Sequence, residues 1–129
     1  MTLHIQCFLI DDDPDDQEIF AMALQDMDKT IACSTADNCV EAIAILQNNP
    51  SYMPHCIFID INMPKINGLD CLKAIKKIER LNKVPVYMYS TSADPRIIEE
   101  SKIYGATDFI VKPTSISELT QTLSEIFYK

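Results

Sequence analysis

Apolar positions along the chain alternate between two periods. Residues 3–10 form a short, nearly continuous apolar run that stops abruptly at five Asp in the six positions 11–16. A run of that length with polar bounds predicts a strand. Pro14 then opens a helical stretch with Asp13 as N-cap, since Pro suits the first turn and an Asp side chain accepts a backbone N–H there. Ile19, Phe20, Ala23, Leu24 and Met27 make its apolar stripe. Residues 30–35 predict a weak strand. Asn38 and Glu41 have capping-box spacing, and Val40, Ile43, Ala44 and Leu46 carry a helix that Asn48, Asn49 and Pro50 stop.

Residues 56–59 are apolar throughout and end at Asp60. Asn67-Gly68 predicts a turn, followed by a helix with Leu69, Leu72, Ile75 and Ile78 on one face. Residues 84–89 predict the next strand, ending in Ser90, Thr91 and Ser92. Pro95 starts a helix through Ile97, Ile98 and Ser101, which Gly105 closes. Residues 108–111 form a short strand ended by Lys112-Pro113, and residues 115–128 the last helix, with Ile116, Leu119, Leu123 and either Ile126 or Phe127 inward. Strands apolar on both faces belong in a covered sheet. Alternating strands and helices require parallel strands with right-handed crossovers. The expected architecture is an α/β, five-stranded, doubly wound parallel sheet in the flavodoxin-like order 2-1-3-4-5, with helices on both faces.

Composition narrows the function. The 129 residues suit one domain, and 47% of them are apolar, which argues against disorder. No apolar run reaches the roughly 18 residues of a membrane span, and the first ten residues have no basic start or cleavage site, so a cytoplasmic protein is expected. With 19 acidic and 11 basic residues the net charge is −8. Neither nucleic acid nor an anionic membrane is an expected partner. Lys73, Lys76 and Lys77 read as a solvated helix face. Five cysteines (Cys7, Cys33, Cys39, Cys56, Cys71) are an odd number without a CxxC pair. They read as small core residues in a reducing compartment, with neither a disulfide framework nor a zinc site.

Ligands of such sheets bind beyond the carboxyl ends of the strands, at the point where strand order reverses. There the first strand offers Asp11, Asp12 and Asp13, the third Asp60, the fourth Ser90 and the fifth Lys112. His4 and His55 precede strands and fall at the opposite rim. Asp13, Asp15 and Asp16 suit a solvated loop and helix N-terminus. Asp11 and Asp12 beside Asp60 would repel one another. Either one carboxylate keeps a proton or a hard divalent cation binds, and an oxygen-only site with few protein ligands suits Mg²⁺. A cation, a lysine and a hydroxyl around one carboxylate make a pocket for a phosphoryl group.

These segments resemble the response-regulator receiver domain of two-component signalling. FLIDDDPDD resembles its acidic pair, IFIDINMPKINGLD its phospho-acceptor segment, VPVYMYSTS its strand ending in Ser or Thr, and GATDFIVKP its Lys-Pro end. The four occur in order over essentially the whole chain. The resemblance implies that Asp60 accepts a phosphoryl group from a sensor histidine kinase or phosphotransfer protein. It implies a Mg²⁺ site of Asp11, Asp12, Asp60 and the Asn62 carbonyl. Ser90 and Lys112 would bind the phosphoryl group, and Ser90 with Phe109 would form the switch. Residues 1–129 are expected to be a single receiver domain without an output domain. Such a domain signals by docking a protein target near helix 4, strand 5 and helix 5, where Ile103, Tyr104 and Phe109 fall. It would not be an enzyme beyond its own phosphoryl transfer and slow self-dephosphorylation.

Three rivals remain. A haloacid-dehalogenase-type phosphatase needs Thr or Val at position 15, where Asp15 stands. A flavodoxin-like FMN carrier needs a Ser/Thr/Gly-rich loop after the first strand, and Gly68 and Gly105 are the only glycines. A pseudo-receiver would bind partners without phosphorylation, and the complete pocket argues against it.

Overall fold

Strand β1 (Gln6–Ile10) lies inside a parallel sheet, between the edge strand β2 (Ala32–Ala36) and the central β3 (Cys56–Asp60), with β4 (Val86–Ser90) and β5 (Asp108–Val111) following. The order is β2-β1-β3-β4-β5, as the alternating periods predict. The computed structural model describes residues 5–63 and 66–128. The predicted start of the first strand at Leu3 and His4, and Pro64 of the acceptor segment, lie outside them.

The period of two divides the sheet. Phe8, Ile10, Ile57, Ile59, Val86 and Met88 meet α2 (Cys39–Asn48), α3 (Gly68–Lys76) and α4 (Pro95–Ile103) on one face. Cys7, Leu9, Phe58 and Tyr89 meet α1 (Pro14–Met27) and α5 (Ile116–Phe127) on the other. Side-chain caps start the helices: Asp13 accepts from the Asp15 N–H, Asn38 from Glu41, Asp94 from Arg96 and Ser115 from Glu118.

Several expectations need correction. Asn67-Gly68 is not a free turn. Asn67 caps α3, and Gly68 is its first residue, because a Cβ there would strike the Asp60 carbonyl and lie 2.7 Å from the Ile61 Cα. Val40 and Ile19 belong to the solvent side, 61% and 38% exposed. In α2 the small Cys39 and Ala42, with Leu46, face the sheet instead. A 3₁₀ turn at Glu79–Leu81 follows α3 and went unpredicted. Its Arg80 guanidinium donates to the carbonyls of Leu46, Asn49 and Tyr52, satisfying the end of α2.

The lysines of α3 are not a uniform solvated face. Lys76 donates to the carbonyls of Asn82 and Val84 at 3.3 and 3.2 Å, and burial holds its pKa below the usual lysine value. Lys73 lies 4.0 Å above the Tyr104 ring. The cysteines are not all free either: Cys39 and Cys71 form a disulfide between α2 and α3. The parallel crossover makes these helices neighbours across 32 positions and brings the Cα atoms to 5.6 Å, which no local spacing reveals. Cys7, Cys33 and Cys56 are free and stand in register across β2, β1 and β3.

Candidate functional site

At the carboxyl ends of the strands the chain leaves the sheet through polar residues: Asp11 directly after β1, Asp60 and Ser90 as the last residues of β3 and β4, and Lys112 directly after β5. Asp11 follows β1 and is wholly buried. Its N–H donates to the Ala36 carbonyl at 3.0 Å, and its Oδ1 accepts from the Asp13 N–H at 2.9 Å. Gln17 of α1 donates to the Asp11 carbonyl at 2.7 Å and to Asp37 at 2.8 Å, which pins the loop. Asp60 closes β3, 5% exposed, and its Oδ1 accepts the Asn62 N–H at 3.2 Å. Asp12 is exposed beside them. One carboxylate oxygen from each of Asp11, Asp12 and Asp60 lies within 4.8 Å of the others.

Lys112 enters from the end of β5. Its N–H donates to the Ser90 carbonyl at 2.7 Å, so the ends of β4 and β5 are tied together. Its Nζ lies 2.7 Å from Asp16 Oδ2, 3.1 Å from Asp11 Oδ2 and 3.7 Å from Asp60 Oδ1. Ser90 is buried, and its Oγ accepts the Ser92 N–H at 3.4 Å. Phe109 is half-buried on β5, paired in register with Met88, and packs on the α2–α4 face.

The charges are strained by burial. Burial pushes the Asp60 pKa from 3.8 up to about 6, Asp11 and Asp12 push the same way, and Lys112 and the Asn62 N–H oppose them. Burial also raises Asp11, against the Asp13 N–H and Lys112. For Lys112 burial acts downward, but Asp16, Asp11 and Asp60 outweigh it and hold the ammonium charged well above its usual range.

The structure thus brings Asp11, Asp12, Asp60, Ser90 and Lys112 to one rim, with Asn62 in the loop above Asp60. The expected solvated role of Asp16 is wrong: it makes the shortest contact to Lys112. Sequence reasoning missed it because an acid in a first helical turn is already explained by the helix dipole. The available signal was geometric, since α1 begins within four residues of β1 and its first turn therefore sits over the rim. His55 is structural, accepting the Gln6 N–H on Nδ1 at 2.9 Å at the opposite rim. His4 lies outside the described residues.

All three metal candidates offer hard carboxylate oxygens and none offers sulfur or imidazole, a donor set that fits Mg²⁺. Among the described residues no helix is long and apolar enough to cross a membrane.

A family model described as "Response regulator receiver domain" matches residues 7–124. The chain is 33% identical over 121 residues to a protein-glutamate methylesterase/protein-glutamine glutaminase of Methanococcoides burtonii, covering 89% of this chain and 33% of that protein. It is 30% identical over 110 residues to the two-component response regulator ORR1 of Oryza sativa subsp. japonica, covering 81% of this chain and 48% of the relative. The chain therefore spans about half or less of the length of these two relatives. The phosphorylated cyanobacterial phytochrome response regulator RcpA superposes with a TM-score of 0.86 at 28% identity, over 96% of this chain and 91% of that one. With its strand order, acidic rim and strand-end lysine, the chain belongs to the response regulator receiver domain family.

Proposed function

We propose that Asp60 is the phospho-acceptor of this receiver domain and takes its phosphoryl group from a phosphohistidine on a sensor histidine kinase or phosphotransfer protein. The carrying observation is a buried carboxylate with Lys112 Nζ 3.7 Å away, inside a cluster of three acids. With a pKa near 6, Asp60 is mostly ionised at neutral pH and is a competent nucleophile. Its oxygen forms the new bond to phosphorus as the phosphorus–nitrogen bond breaks, and the departing imidazole keeps the electron pair and takes a proton. Asp11, Asp12, Asp60 and the Asn62 carbonyl would hold Mg²⁺, which supplies positive charge against the phosphoryl oxygens.

The side chains supply the rest. Lys112 offers its ammonium to the incoming oxygens, and Asp11, 3.1 Å from it, keeps that ammonium at the rim. The Ser90 hydroxyl, at the end of the adjacent strand, donates to the phosphoryl group once Asp60 is modified. Phe109 then turns inward into the space that Ser90 leaves. The readout is a protein partner docked at α4, β5 and α5, where Ile103 is 70% and Val111 47% exposed. We read residues 1–129 as one receiver unit acting in the cytoplasm, with no catalysis beyond its own phosphoryl transfer and hydrolysis. Incubation with acetyl phosphate and Mg²⁺, followed by intact mass and peptide mapping, tests the assignment. One phosphoryl group on Asp60, lost in Asp60→Asn, is the expected result. A phosphate mapped to Ser90 or Thr91 overturns it.

A further inference from the structure

Asp16 is a charged group at the rim that the phosphoryl chemistry does not use, yet it makes the shortest ion pair with Lys112. Lys112 Nζ is 2.7 Å from Asp16 and a full ångström farther from Asp60. Both atoms therefore compete for one ammonium. We propose that Asp16 is a positioning residue that parks Lys112 away from Asp60 in the resting protein and so sets how readily the site takes a phosphoryl group. The proposal rests on Asp60 being the acceptor.

The exposures suit such a parking place. The Lys112 side chain is 9% exposed and Asp11 is fully buried, so the ammonium cannot exchange its partners for water, and Asp11 must hold it in either position. Asp16 is 31% exposed, so water solvates its carboxylate when the lysine leaves. An ion pair open to water on the Asp16 side alone is weaker than a fully buried one. It is therefore strong enough to bias Lys112 and weak enough to yield to a phosphoryl group, which brings roughly one further negative charge to Asp60. Asp15, the preceding residue of α1, is exposed and has no bond to Lys112, so it serves as a control of equal charge.

The probe is beryllofluoride with Mg²⁺, titrated into the parent and into Asp16→Asn, Asp16→Glu and Asp15→Asn. Asp16→Asn should bind about fivefold tighter, the order expected when a partly exposed ion pair is lost. Asp16→Glu should return toward the parent, and Asp15→Asn should stay within about twofold of it. The ¹⁵Nζ signal of Lys112 is a second readout, because a merely structural role would leave it in place. Beryllofluoride should move it in the parent, and in Asp16→Asn it should already start near the bound position. Unchanged or weaker binding in Asp16→Asn overturns the role of Asp16. An equal gain in Asp15→Asn also overturns it, since the effect would then be one of overall charge. Failure of the parent to bind beryllofluoride would instead strike at Asp60 as acceptor.

Discussion

The two faces of the sheet are built differently. On one, α1 and α5 close over an aromatic cluster, with Phe20 and Phe58 centroids 4.9 Å apart, Phe58 stacked on Tyr87 at 5.0 Å, and Tyr89 edge-on to Phe20 at 5.7 Å. On the other, α2 and α3 are joined by Cys39–Cys71 over a mainly aliphatic core in which Phe8 is the one fully buried aromatic, but α4 buries only Ser101. The Ser101 hydroxyl donates to the Ile98 carbonyl of its own helix, and Ile103 points to solvent. Asp60 and Ser90 stand at the rim where these faces meet, and the loop after Ser90 leads straight into α4. A charge change at Asp60 therefore has one weakly anchored neighbour to move and one rigid face to push against.

The largest expected effect marks the rigid face. Phe58→Ala should cost about 3–5 kcal/mol in denaturant unfolding, while Ile103→Ala on α4 should stay within about 0.5 kcal/mol. Comparable losses for both would break the contrast. The disulfide comes next. In the oxidised, denatured protein three of the five cysteines should react with a thiol reagent. Reduction or Cys39→Ser should cost about 2–4 kcal/mol, since the bridge spans 32 positions of the unfolded chain. Five reactive thiols would show that the α2–α3 half stands without this covalent link.

The acidic rim gives a smaller, pH-dependent effect. Unfolded Asp60 loses its proton near its ordinary value of 3.8, whereas the folded protein holds it to about 6. Stability from this group is therefore present at low pH and lost as pH rises through about 6. Asp60→Asn should remove that part of the slope and gain about 1–3 kcal/mol above pH 7. Mg²⁺ should move the parent's titration downward. A parent and variant with parallel pH profiles would contradict the buried, repelled carboxylate.

The strand order, the caps at Asp13 and Asn38, and the rim residues Asp11, Asp12, Asp60, Ser90 and Lys112 were legible in the sequence. They depend on period, on local capping chemistry and on what ends each strand. What stayed hidden depends on distant pairs. Cys39 finds Cys71, Arg80 finds the end of α2, and Asp16 finds Lys112 only after the crossovers are made. Val40 was misplaced for a related reason: α2 is apolar on more than one side, so only packing decides that Cys39 and Ala42 face inward.

The subtlest prediction concerns coupling between the rim and the weakly held corner. Ser90 is buried, and its hydroxyl now only accepts the Ser92 N–H at 3.4 Å, a long contact that is easily given up. Turning that hydroxyl toward a phosphoryl group on Asp60 frees space under the loop before α4. Phe109 sits half-buried two strand positions from Val111, which is itself paired in register with Ser90. It has no hydroxyl, so its inward state depends on packing alone. Completing its burial gains at most about 1.5–3 kcal/mol, the scale of a typical coupling between sites. Ser90→Ala should therefore still be phosphorylated on Asp60. Its amide-exchange and NMR changes over residues 93–112 should nonetheless be much smaller than the parent's, while the buried face of α1 stays quiet in both. If Ser90→Ala reproduces the parent's shifts, Ser90 and Phe109 are not the coupled pair, and α4 responds to the rim by another route.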